Sequence, residues 1–154
     1  MGINHWQSNI CWLGKLIVNK MEKMICPHCE RKLHSINAWH YCKKIEIDEL
    51  FIDKLDEVVL AFDTILQQVS SWENVEISAT KNCVVFVKNK TFLVLKPMKK
   101  CLEAKFYSNN MFDDEALHKC SIWNSKYEGI MRFENERQIT KAFFENVQKS
   151  YLIS

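Results

Sequence analysis

The sequence predicts an α+β fold: a mostly antiparallel sheet of four to six strands flanked by an opening and a closing helix. Three observations predict it. An apolar stripe at helical spacing runs through residues 51–69, short alternating or β-branched runs fill 75–133, and a second helical stripe closes the chain. The runs are joined by connections too short for crossovers, so neighbouring strands must be antiparallel. At 154 residues, 47% hydrophobic and 12% aromatic, the chain is one domain or a small module attached to one, with enough apolar mass for a core.

The opening helix is expected from Asp48 as N-cap, with Phe51, Leu55, Val58, Phe62, Ile65 and Val69 on its buried face and Val59 and Leu66 widening the stripe. Its alternating spacing resembles a coiled-coil seam but lasts under three heptads, so a helix lying on a sheet is expected. Strands are expected at 75–78, where apolar and polar residues alternate, and at 83–87, which is β-branched and nearly continuous. A turn at 88–91 leads to a strand at 91–95. Residues 96–100 read as a connection, because Pro97 is unsuited to a central strand. The run 101–107 puts Leu102, Ala104 and Phe106 on one face, and "CSIW" and "GIMRF" add one or two strands. A terminal helix from about Gln138 aligns Ile139, Phe143, Val147 and Tyr151.

The chemistry of the sequence lies ahead of this body. In "MICPHCERKLHSINAWHYCKK" the spacing is Cys26-x2-Cys29-x10-His40-x-Cys42. Two cysteines separated by two residues grip one side of a metal ion, and a His and a Cys further on complete a tetrahedron. Three thiolates and an imidazole are a regular structural zinc set, and four protein ligands leave no open position for catalytic water. The site would carry a net charge of −1, which Lys32, Lys43 and Lys44 offset. A redox pair would need a strand-to-helix junction around Cys26, which the pattern lacks, and would ignore His40 and Cys42. A disulfide is disfavoured by compartment. His34 and His28 are alternative donors to His40. The expected organisation is therefore a leader at 1–23, a zinc knuckle at 24–44 and an α+β domain at 46–154.

"CPHCERKLHSINAWHYC" is similar to the cysteine-rich head that precedes many members of the family called domain of unknown function 5655. The body resembles that family's core in its opening helix, in "KNCVVFVKNKTFLVLKPMKKCLEAKFY" and in the terminal helix ending near "KSY". The resemblance spans about residues 24–152. It implies ligands at Cys26, Cys29, His40 and Cys42, with Arg31 and Asn37 at the motif's polar positions. Glu30 departs from it, standing where a glycine would ease the turn that aims amides at the thiolates. The family has no established activity. Labels such as predicted transport protein, and related domains beside nuclease-like regions, hint at nucleic-acid traffic.

Charge is unevenly distributed. Residues 1–45 hold seven Lys/Arg against two Glu, a net of +5, whereas the remainder is −3. A basic head of this kind suits an anionic partner, with Arg31, Lys32, Trp39, Lys43 and Lys44 as candidate nucleic-acid contacts and Trp39 able to stack on an unpaired base. In the body, Lys81, Lys88, Lys90, Lys96, Lys99, Lys100 and Lys105 could track a phosphate backbone, with Tyr107 or Trp123 available to stack, or else guard sheet edges. Three glycines leave no phosphate-cradling loop, and His-Glu-x-x-His is absent. Cys83, Cys101 and Cys120 read as small hydrophobes in strand patterns, and His118 with Cys120 has only the residue types of a hydrolase. An odd count of seven cysteines and no secretory signal favour the cytoplasm; the apolar run at 10–18 is too short to span a bilayer. The function expected is a non-catalytic, zinc-containing binding module contacting nucleic acid. The alternative is a protein-interaction or small-ligand module in which zinc is purely structural.

Overall fold

The structure, a computed structural model, describes residues 24–33, 38, 40 and 42–154. A two-stranded hairpin, β1 (Met24–Ile25) and β2 (Lys32–Leu33), leads the body. Next come a 3₁₀ turn (Ile47–Phe51) and helix α1 (Asp56–Ser70). Six strands follow: β3 (Glu76–Ala79), β4 (Val84–Val87), β5 (Thr91–Pro97), β6 (Leu102–Ser108), β7 (Lys119–Trp123) and β8 (Lys126–Phe133). A short 3₁₀ turn (Glu136–Gln138) precedes α2 (Lys141–Leu152). The sheet is antiparallel throughout, in the order β3-β4-β5-β6-β8-β7, so of the one or two further strands expected at the C-terminal end two form, and β7 lies outermost. The α+β class is as the sequence predicts. Among the described residues no helix is long and apolar enough to cross a membrane.

Both helices cover one face of the sheet. The register brings Val84, Phe86, Leu93, Leu95, Leu102, Ala104, Phe106, Met131 and Phe133 onto that face, where they pack with Val58, Ala61, Phe62, Ile65 and Val69 of α1 and Phe143 and Val147 of α2. The opposite face carries Val85, Val94, Lys96, Glu103, Lys105, Tyr107, Glu128, Ile130 and Arg132, with ion pairs at Lys105–Glu128 (3.2 Å) and Arg132–Glu103 (2.8 Å).

Three boundaries differ from the sequence reading. The opening helix does not run from Asp48: the 3₁₀ turn ends at Phe51 and α1 begins at Asp56, leaving Leu55 exposed as its N-cap. The reason is packing. Phe51 and Phe62 are 4.6 Å apart by ring centroid, whereas eleven residues of straight helix would separate them by roughly 16 Å. The chain must fold back between them. Secondly, β5 continues through Lys96 and Pro97. Proline is tolerated because β4 stops opposite Leu95, and Met98 N–H, not that of residue 97, donates across the turn to Cys101 O at 2.8 Å. Thirdly, α2 begins at Lys141, where the Thr140 hydroxyl accepts from Phe143 N–H and caps the helix.

A bulge shapes the centre. Phe86 pairs with Leu93 but Val87 pairs with Thr91, so Phe92 is an extra residue on β5. Phe92 and Leu93 are both fully buried in consequence. The ladder between β5 and β6 ends at Leu93–Phe106, and beyond it the buried Ser150 hydroxyl of α2 donates to Phe92 O (2.6 Å) and accepts from Tyr107 N–H (2.9 Å).

Candidate metal centre and its surroundings

The short β1–β2 hairpin holds Cys26 and Cys29 in its turn. Glu30 N–H donates to Cys26 O and Cys26 N–H to Arg31 O, both at 2.9 Å, which closes the loop around the first two sulfurs. Closing it puts Glu30 in the left-handed region at φ 58°. That is the conformation glycine adopts at little cost and other residues adopt with strain. Glu30 therefore sits at the position where a glycine would fit best.

Cys26 and Cys29 are buried with Leu33 in a small apolar cluster, separate from the core of the body. His40 and Cys42 come to them from the following segment. The four potential ligand atoms of Cys26, Cys29, His40 and Cys42 all lie within 4.8 Å of one another and could hold a metal ion. The Cys26 and Cys42 sulfurs are 3.5 Å apart, close to the roughly 3.8 Å edge of a tetrahedron with 2.3 Å metal–sulfur bonds.

His40 adds an independent sign. Its Nδ1 lies 3.0 Å from Ala38 O, so that nitrogen donates and Nε2 carries the lone pair. Nε2 is buried and has no hydrogen-bond partner among the described residues. A buried acceptor left without a partner is destabilising unless something occupies it, and a metal ion would.

The electrostatics fit the same chemistry. Hydrogen bonds from the Cys29 and His28 backbone hold the Cys26 thiol down, to about 6, so it is a thiolate at neutral pH. Its proximity pushes Cys42 up to about 11. The Ala38 carbonyl, and then Cys26, raise His40 above the usual imidazole range. One negative charge is available without metal, and a second is suppressed by the first. A divalent cation would relieve that conflict. All six described cysteines are free thiols.

The structure divides the remaining candidate residues. His28 is exposed and outside the four-ligand group, while His34, Asn37 and Trp39 lie outside the described residues. Arg31 donates from Nη2 to Ala79 O on β3 at 2.8 Å. Lys32 pairs with Glu76 on the same strand at 2.8 Å, and Lys44 with Glu30 at 3.1 Å. Lys43 is exposed. Three of the four described basic candidates are thus engaged within the chain, and two of them fasten the hairpin to the sheet. Sequence reasoning could not find this role for Arg31 and Lys32, because their partners are more than forty residues away.

The body lysines are likewise separated. Lys96 and Lys105 share the open face of the sheet, Lys88 stacks over the Tyr151 ring at 4.1 Å, and the others occupy turns at both ends of the strands. Lys105 is paired with Glu128. His118 and Cys120 flank the start of β7, and no hydrogen bond joins their side chains among the described residues. Burial pushes the Cys83 thiol up, as expected of a small hydrophobe. Between the hairpin and the open face lies a groove of about 700 Å³, lined in part by Arg31, Lys32, Leu33, Glu76, Val85 and Val87.

Comparison with known proteins adds a family and nothing finer. The family model described as "Domain of unknown function (DUF5655)" matches residues 47–154. The match begins after Cys42, so the four-ligand group lies outside it. No curated protein and no solved structure matches the chain.

Proposed function

The chain belongs to the DUF5655 family, and from that premise we propose that it is a non-catalytic binding module whose Cys26, Cys29, His40 and Cys42 hold a structural zinc ion. The observation that carries this reading is the donor set. Three sulfurs and a buried Nε2 with no hydrogen-bond partner among the described residues lie within 4.8 Å of one another, and four protein ligands leave no position for a reacting water. When bound, zinc would supply cross-linking: the hairpin has only a small core of its own and would be held in shape by the ion. Arg31 and Lys32 would then hold the organised head against β3. A cytoplasmic setting belongs to this reading, since the described thiols are free.

Two occupants are compatible with such a module. The groove between head and sheet, with its mixture of Leu33, Val85 and Val87 with Lys32 and Glu76, suits a peptide or small ligand carrying both apolar and charged groups. Nucleic acid on Arg31, Lys32, Trp39, Lys43 and Lys44 is the second reading. It is favoured by the net charge of the head but requires that the Ala79, Glu76 and Glu30 contacts be broken. We therefore favour the groove.

Elemental analysis of purified protein tests the metal and should give one zinc per chain. The occupant is tested by titrating labelled single-stranded DNA, duplex DNA and RNA at two salt concentrations. Binding that falls steeply with salt and is lost with Lys43→Ala and Lys44→Ala would replace the groove reading by the nucleic-acid one. With no such binding, amide shifts of Leu33, Val85 and Val87 during a peptide and fragment screen are the expected signature of the groove.

A further inference from the structure

The six-stranded sheet has two edges, and they are treated differently. At the β3 edge, the Arg31 guanidinium takes up the Ala79 carbonyl and Lys32 pairs with Glu76. At the other edge, β7 pairs with β8 alone among the described residues. An unpaired strand is a template for another strand unless a bulge, a proline or charged side chains, lysine above all, prevent it. The sequence of β7, Lys-Cys-Ser-Ile-Trp, contains no proline, and its pairing with β8 is regular from Lys119 to Trp123. Its one edge charge is Lys119 at the start of the strand; beyond it β7 presents Ile122 at 71% and Trp123 at 60% exposure. Its register on β8 is set by Asn124 (φ 47°) and Ser125 (φ 63°), which form the two-residue left-handed turn that matches strand twist.

The five residues are also complementary to themselves. If β7 meets its own copy antiparallel with the twofold axis at Ser121, Lys119 falls opposite Trp123 and Cys120 opposite Ile122, twice each. The faces agree: Lys119, Ser121 and Trp123 belong to the open face of the sheet, Cys120 and Ile122 to the helix-covered face. One side of the junction would then place two lysine ammoniums beside two indoles. The other would cover the exposed isoleucines with each other's neighbouring thiol. Isologous pairing of this kind closes as a dimer and leaves no further free β7 edge.

We propose that the β7 edge is the self-association surface of this protein, joining two copies antiparallel about Ser121 into one twelve-stranded sheet. A five-residue strand buries less than a standard permanent interface, so the dimer forms in a concentration-dependent way.

Sedimentation velocity on the full chain over a concentration series tests this. The expected result is a monomer–dimer equilibrium. Ile122→Lys and Ser121→Glu, which put charge on the edge and like charges across the axis, should each raise the dissociation constant about tenfold or more. Leu152→Lys, at another exposed apolar residue, should leave it unchanged. A chain that stays monomeric throughout the series overturns the proposal. So does a dimer that ignores both edge variants or responds equally to Leu152→Lys. If Ile122→Lys fails to fold by circular dichroism, Ser121→Glu decides alone.

Discussion

Ser150 donates its hydroxyl hydrogen to the carbonyl oxygen of Phe92 at 2.6 Å, and so ties α2 to the bulge at the centre of the sheet. The Ser150 hydroxyl oxygen in turn accepts from Tyr107 N–H at 2.9 Å. One buried side chain thereby satisfies two main-chain groups that the bulge removes from the ladder. Ser150→Ala would leave both in an apolar interior. A loss of about 1–3 kcal/mol in unfolding free energy is expected, read from urea denaturation with an unchanged slope. A variant as stable as the parent would mean that neither bond contributes.

Gly129 makes room for an aromatic pair. It lies opposite Phe106, whose ring meets that of Phe112 edge-on at 5.2 Å. A Cβ at residue 129 would come within 2.9 Å of both rings and 3.0 Å of Leu117. Gly129→Ala is expected to destabilise by about 1–3 kcal/mol through overpacking. The displaced Phe112 and Leu117 should raise amide exchange between residues 109 and 118 before the rest of the body responds.

The head and the body have separate apolar clusters, which predicts how loss of one ligand will spread. Cys29→Ser should abolish zinc retention and raise hydrogen exchange at residues 24–33. The melting of the body should stay within a few degrees of the parent, because none of its buried core belongs to the head. Unfolding of the whole chain at the same temperature as metal loss would contradict this independence.

Glu30 at φ 58° predicts a gain from the smaller residue. Glu30→Gly removes strain of about 1 kcal/mol; it also removes the exposed pair with Lys44, which solvent screens. Zinc should be removed more slowly by a chelator from the variant than from the parent. Faster removal would mean that the Lys44 contact outweighs the backbone term.

Protons compete with zinc at the same atoms, and the direction at each site sets the pH response. Cys42, pushed up to about 11, is protonated in the metal-free protein at neutral pH, so metal uptake there must release its proton. Cys26, held down to about 6, is already a thiolate and becomes a competitor only below that value. His40, raised above its ordinary range, protonates earlier on acidification than a free imidazole. Zinc affinity should therefore rise with pH through the neutral range and fall most steeply near and below about pH 6. Competition with a chromophoric chelator across about pH 5 to 8 checks it; a pH-independent affinity would exclude these thiols as ligands.

The sheet was legible in the sequence because its strands are local and strongly patterned. Residues 83–87 and 101–107 alternate or run β-branched, and Leu102, Ala104 and Phe106 are buried together as their spacing predicts. The opening helix was misread for the opposite reason. Nothing in the spacing of Phe51 and Leu55 reveals that Phe51 must turn back onto Phe62. Pro97 marks the end of β5 only once β4 is seen to stop short of it.

The metal group divides in the same way. The spacing of Cys26, Cys29, His40 and Cys42 marks them as candidate ligands, because chelation imposes short, fixed separations along the chain, and the structure brings their donor atoms within 4.8 Å of one another. Spacing does not mark the role of the surrounding charges. Arg31 and Lys32 read as a basic patch until β3 places Ala79 and Glu76 beneath them. Local spacing thus determined the fold class, the strand runs and the candidate ligands, all of which depend on residues near one another in sequence. Only the tertiary structure decided which charges are neutralised, which sheet edge is unpaired among the described residues and where the ladder breaks, since each depends on partners that sequence distance conceals.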